Sequence, residues 1–188
     1  RHDLGDRSYV GGILTDSRRG AFTSTTAGVD LMWFLTGDLS LRTDLLRVDD
    51  SESNESAGAY NVNLDLTTDA WGFLFGYSQI DENFVPDLGF VQRAGYRNKE
   101  ALLRYSFRPG GWGVRRVSLR TINNWWDSLR HGALESSSNA LNCDIELENG
   151  DFIEFSTGRS FERLFEPFDL DDEVVFAPGE YEFVSSTI

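Results

Sequence analysis

The chain has 188 residues, with 17 Lys and Arg against 31 Asp and Glu, a net charge of -14. Phosphate backbones need clustered cations, so this balance excludes nucleic acid as a partner. Cys143 is the only cysteine, and His2 and His131, far apart, are the only histidines; a disulfide framework is excluded, zinc chemistry has no ligand set, and no cofactor is expected.

Lys99 is the only lysine; the other sixteen cations are arginines. Water-soluble β proteins commonly protect their edges with lysine, and this chain does not. No run of about 18 apolar residues exists, so a transmembrane helix is excluded, but barrel strands carry a much weaker signal. The opening "RHDLGDRSYV" has no charged and apolar leader pattern, so an export signal is expected to have been removed or to lie upstream.

A first strand is predicted over Ser8 to Asp16. In "AGVDLMWFLT" (27–36), Val29, Leu31, Trp33 and Leu35 share one face, and "DLSLRTDLLRV" follows with Leu39, Leu41, Thr43 and Leu45. Gly37-Asp38 between them is a hairpin turn signal. "AYNVNLDLT" sets Tyr60, Val62, Leu64 and Leu66 against Asn61, Asn63 and Asp65; after Thr68-Asp69, "AWGFLFGYSQ" sets Trp71, Phe73, Phe75 and Tyr77 against Gly72, Leu74, Gly76 and Ser78. "ALLRYSFR" places Leu103, Tyr105 and Phe107 opposite Arg104 and Ser106, and "PGGWG" turns into "VRRVSLRTI", with Val117 and Leu119 opposite Ser118 and Arg120. "ALNCDIELE" alternates Leu141, Cys143, Ile145 and Leu147 with Asn142, Asp144 and Glu146; Asn149-Gly150 turns into "DFIEFSTG", and a last strand is predicted over Glu180 to Ser186. The total is about ten strands and no helix.

The connections alternate: long at 17–26, 49–57, 81–98, 127–137 and 161–179, and short at 37–38, 68–69, 109–113 and 149–150. In an up-and-down antiparallel sheet this puts every long loop at one end, the asymmetry of outer-membrane barrels. Alternation alone also fits a soluble β-barrel or sandwich that binds a small ligand inside. Three features favour the membrane form: strands of about ten residues match a tilted bilayer crossing, aromatics such as Trp33, Trp71, Tyr77, Phe107 and Trp125 fall towards strand ends, and the polar face carries opposed charges. The predicted outward face holds Leu64, Phe73, Phe75, Tyr105, Leu119 and Ile145. The predicted lumen holds Asn63 and the charges Arg42, Asp44, Asp65, Arg104, Arg120 and Glu146.

The segment "NFVPDLGFVQRAGYR" (83–97), followed by an aromatic strand and a Pro-Gly turn, resembles the outer-membrane β-barrel domain of unknown function that follows family-9-like carbohydrate-binding modules in surface proteins of Gram-negative bacteria. "SYVGGILTDSR", "AGVDLMWFL" and "PGEYEF" extend the resemblance over most of the chain. It implies a transmembrane β-barrel in the bacterial outer membrane, with the lipid bilayer as partner and glycans bound by a separate module. It supplies no catalytic residues. The expectation is one domain over 1–188, an all-β antiparallel up-and-down transmembrane barrel that is a fragment of a longer one, because bulky lumen charges suit a wider interior than ten strands enclose.

The apolar content of Asp81 to Arg97 is costly in water. The loop is therefore expected to fold inward over the lumen mouth through Phe84, Pro86, Asp87, Leu88 and Phe90, with Arg93 and Arg97 pairing to lumen carboxylates. Packing on neighbouring loops outside is the alternative. "WWDSLRHGALESSSN" offers Asp127, Ser128, His131 and Glu135, a constellation compatible with a barrel-rim hydrolase, but residues close in sequence seldom assemble a triad. An enzyme is therefore not favoured. Asp169, Asp171, Asp172 and Glu173 supply oxygen ligands without the spacing of a calcium loop. A channel, transporter or surface scaffold is the leading reading, ahead of a soluble ligand-binding β protein and a rim hydrolase.

Overall fold

The computed structural model describes residues 1–51, 56–171 and 174–187. Thirteen strands are present among them: β1 (His2–Asp3), β2 (Tyr9–Arg19), β3 (Phe22–Phe34), β4 (Leu39–Asp50), β5 (Ser56–Thr67), β6 (Trp71–Ile80), β7 (Tyr96–Phe107), β8 (Val114–Ser128), β9 (Ala133–Leu147), β10 (Phe152–Leu164), β11 (Phe168–Asp171), β12 (Val174–Phe176) and β13 (Gly179–Thr187). Consecutive strands pair antiparallel from β1 through β10 to β13, and β11 and β12 form a separate hairpin. The chain is therefore an all-β, up-and-down antiparallel sheet. It is open: no described strand joins β2 to β13, so barrel closure is not part of the observed fold.

Each of the ten predicted strands has its counterpart, but two expected long loops, 17–26 and 127–137, do not exist as loops. At 17–26, β2 and β3 run on to a two-residue turn at Gly20-Ala21, with Gly20 at φ 64°. At 127–137, β8 and β9 meet across 129–132, closed by Gly132 at φ 61°. At 49–57, β4 continues to Asp50 and β5 starts at Ser56, and 52–55 of that connection lie outside the described residues. The ladder persists in these stretches because backbone pairing does not need apolar side chains. Alternation reports which face meets an apolar medium, and it fades where both faces are polar. The 81–95 connection remains long, and 165–178 is occupied by the β11–β12 hairpin.

The register fixes two faces. Leu41, Leu64, Phe75 and Ala101 lie side by side across β4 to β7, as do Leu66, Phe73 and Leu103, and Trp71, Tyr105, Leu119 and Cys143 across β6 to β9. This face is apolar and exposed, with Val29, Trp33, Leu45, Trp71, Phe75, Leu103, Leu119 and Leu141 all open to the surroundings. On the opposite face, Arg42, Asn63, Gly76 and Glu100 form one row, and Gly72, Arg104, Arg120 and Asn142 another. Ser40, Ser106, Ser118 and Asn142 are buried there. Short polar side chains buried on one face and large apolar ones exposed on the other describe a sheet curled around its polar side. Glycines make room for that crowding: a Cβ on Gly76 would stand 2.7 Å from Asn63 Oδ1.

Candidate functional site

The polar face and the 81–95 loop that crosses its rim form the candidate site. The loop leaves β6 at Asp81, whose carboxylate accepts the Gly58 N–H at 2.8 Å and the Gln79 side-chain amide at 3.1 Å. Phe84, 4% exposed, then drops among Val48, Ala57 and Ala59, with Leu46, Ile80 and Val91 around it. Val48, Leu46, Ala57 and Ala59 are on the same face as Arg42, Asp44, Asn61 and Asn63, so the loop is anchored on the polar side. Pro86 and Gly89 close a turn (Gly89 N–H to Pro86 O, 3.2 Å), and Asp87 forms a salt bridge with Arg19 at the end of β2. The loop thus reaches from β6 across to β2. Gly95 at φ 75° ends it, its N–H donating to Ile80 O at 2.9 Å.

Three loop residues differ from expectation. Leu88 and Phe90 do not turn inward: both are exposed, Phe90 at 90%. One apolar anchor, Phe84, fills the small niche, and Phe90 lies on the rim of an open groove with Val91, Tyr96 and Trp126. Arg97 is not in the loop. It lies in β7 on the apolar face, opposite Gln79 and Asp127, and its Nε donates to Gln79 Oε1 at 3.2 Å, because the period-2 pleat puts it on the other side from Tyr96. Arg93 does find a carboxylate, Glu135 at 2.6 Å.

The six face charges are held in separate local groups. Arg42 lies 3.4 Å from Asp44, which also accepts from Asn61 at 3.1 Å, and Asp65 accepts from Thr67 at 3.1 Å. Arg104 and Arg120 are direct cross-strand neighbours yet point apart. Arg104 donates to Thr68 O (2.7 Å) and Ser106 Oγ (3.3 Å), while Arg120 approaches Asp144 at 3.7 Å. Glu146 pairs with both Arg115 (2.9 Å) and Arg116 (3.2 Å). Beyond the strand ends, Arg108 and Asp69 pair across two turns, with Arg108 Nη2 donating to Asp69 Oδ1 at 2.8 Å. That guanidinium holds the Asp69 carboxyl below its ordinary 3.8, and Asp69 raises Arg108 in return.

The hydrolase candidates do not assemble. The His131 ring stacks on Phe165 at 3.8 Å, Ser128 Oγ accepts the His131 backbone N–H at 3.4 Å, Asp127 binds Lys99 at 2.7 Å, and Glu135 binds Arg93. Among the described residues no group of three or more His, Cys, Asp or Glu is placed to hold a metal ion. Asp172 and Glu173 of the acidic stretch lie outside the described residues, and Asp169 sits in β11.

Sequence reasoning missed the aromatic pocket under the β11–β12 hairpin, lined by Glu162, Leu164, Phe168, Phe176, Tyr181 and Phe183. Phe168 and Phe176 are cross-strand partners. The signal was present as apolar residues flanking "DLDDE", obscured by the acidic run between them. No protein-family model matches the chain, and neither does any curated protein or solved structure.

Proposed function

We propose that this chain forms the wall of a bacterial outer-membrane β-barrel, its apolar face against lipid and its polar face towards a lumen, serving as a channel, transporter or surface scaffold. One observation carries the reading: the exposed apolar face is a continuous belt that runs obliquely to the hydrogen-bonded rows. The row through Leu31, at the belt centre on β3, passes Thr43, Val62, Tyr77 and Lys99 to reach Trp125 on β8 and Phe161 on β10. The apolar row of Leu119, Cys143 and Phe155 lies six residues nearer the short turns on those strands. With roughly 3.3 Å per residue and about 4.8 Å between strands, that offset over the five strand steps from β3 to β8 is a slant of about 40°. Membrane barrel strands tilt by about 35–45° against a level lipid belt. The aromatic residues support the same reading: Trp33, Trp71 and Tyr105 lie towards the short-turn end, Tyr60, Tyr77 and Trp125 towards the other, with Leu64, Phe73, Phe75 and Leu103 between.

In lipid neither sheet edge can stay bare. The proposed membrane form closes β2 and β13 on each other or on further strands; ten long strands of alternating direction make either closure antiparallel. On the resemblance of the 83–97 segment, the reading extends to a barrel that carries a glycan-binding module at the cell surface. The test is reconstitution. Refolded chain should float with lipid vesicles and resist carbonate extraction, and deletion of 84–91 should raise solute flux while the sheet stays folded. A chain that is monomeric and folded in detergent-free buffer, and sediments away from vesicles, contradicts the proposal.

A further inference from the structure

The pocket beside β13 is built unlike the rest of the polar face. Glu162 on β10 and Tyr181 on β13 are direct cross-strand partners, Phe183 follows Tyr181 on the same face, and Leu164 lies one pleat beyond Glu162. The β11–β12 hairpin folds over them and brings in Phe168 and Phe176. Phe176 meets the Tyr181 ring edge-on at 6.0 Å, and the Tyr181 hydroxyl donates to Ala177 O at 2.8 Å, which holds that ring in place. The pocket, open on one side, has a volume of about 330 Å³, within the roughly 300–1,000 Å³ of small-molecule sites.

Its lining carries four aromatic rings and a single charged side chain. Glu162 makes no salt bridge among the described residues, and the nearby cation Arg93 closes on Glu135 instead. Phe168 and Phe183 stay about half exposed, a cost that filling the pocket would remove. Aromatic faces are electron-rich, and their quadrupoles attract a desolvated cation; the carboxylate adds the opposing charge. Glu162 is exposed, so a neutral apolar ligand gains nothing from it, whereas an anion is repelled by it and a cation attracted. We propose that this pocket binds a small organic cation of the methylated-ammonium class, its methyl groups against Phe168, Phe176, Tyr181 and Phe183 and its charge beside Glu162.

The probe is choline, titrated calorimetrically into the full folded chain held in a maltoside detergent that carries no ammonium group. The comparison ligand is its uncharged isostere, with tert-butyl in place of trimethylammonium. Saturable choline binding about tenfold tighter than the isostere is expected, since cation–π attraction is worth most where the cation is desolvated. Glu162→Gln should weaken choline about tenfold and leave the isostere unchanged. Phe183→Leu, which keeps apolar volume but removes a π face, should also weaken choline selectively, and unchanged circular dichroism confirms that both variants fold. Equal binding of the two ligands, no saturable binding by the folded wild type, or an unaltered Glu162→Gln variant would each overturn the assignment.

Discussion

Replacing Phe75 by arginine tests the environment of the apolar face. Phe75 lies near mid-belt on β6, 46% exposed, between Leu64 and Ala101, with its ring centroid 5.2 Å from that of Phe73. If this face met water, an exposed substitution would shift stability by roughly 0.5 kcal/mol or less, plus the ring pair, about 0.5–1.5 kcal/mol. Against lipid, arginine near the midplane costs about 2–4 kcal/mol more. Phe75→Leu isolates the ring term, so the diagnostic quantity is the difference between the Arg and Leu variants. About 3 kcal/mol there is more than a hundredfold in the folding equilibrium. The assay is reversible denaturant unfolding in lipid vesicles, followed by tryptophan emission. The same pair of substitutions at Trp71, next to the 68–70 turn, should differ by only about 0–1 kcal/mol, because the penalty fades towards the interface. Small, equal differences at both positions would refute the lipid assignment of this face.

Phe84→Ala should release the loop from its niche at a cost of about 3 kcal/mol to loop docking, seen as faster tryptic cleavage at Arg93 with the sheet ladder still protected from hydrogen exchange. Asp69 should titrate below 3.8 by carbon-detected NMR and rise towards that value in Arg108→Gln. Because its folded-state pKa is depressed, the stability it contributes is present above the unfolded value and is lost as pH falls through the folded one. His131→Ala should lower stability by about 0.5–1.5 kcal/mol through the lost Phe165 stack, whereas His131→Phe should retain it; thermal unfolding distinguishes the two.

The strands of the belt were legible in the sequence because each has one face that is apolar and one that is polar. The register of Leu64, Phe75 and Ala101, or of Asn63, Gly76 and Glu100, follows from period-2 alternation joined by tight turns. Strand continuation through "TSTTAG" and "ALESSSN" was not legible, since serine and threonine on both faces carry no alternation while their backbones pair as well as any other. Of the loop, Phe84 was identifiable as a costly exposed aromatic, but which of Phe84, Leu88 and Phe90 would be seated depends on a niche made by Val48, Ala57 and Ala59 on distant strands. Arg97 reads as part of the loop because β7 begins before its apolar pattern does. The aromatic pocket required knowing that Phe168 and Phe176 come to lie beside β10 and β13.

The most direct test of the membrane reading uses two adjacent residues. Trp125 and Trp126 lie side by side on β8 and face opposite ways: Trp125 is in the row of Tyr77 and Lys99 on the apolar side, and Trp126 pairs with Asn98 and Ser136 on the polar side beside the loop. In vesicles with bromine high on the acyl chains, a variant keeping only Trp125 should be quenched by lipid, and a variant keeping only Trp126 should be insensitive to lipid bromine. Equal quenching of the two, or quenching of Trp126 alone, would contradict the assignment of the apolar face to the bilayer.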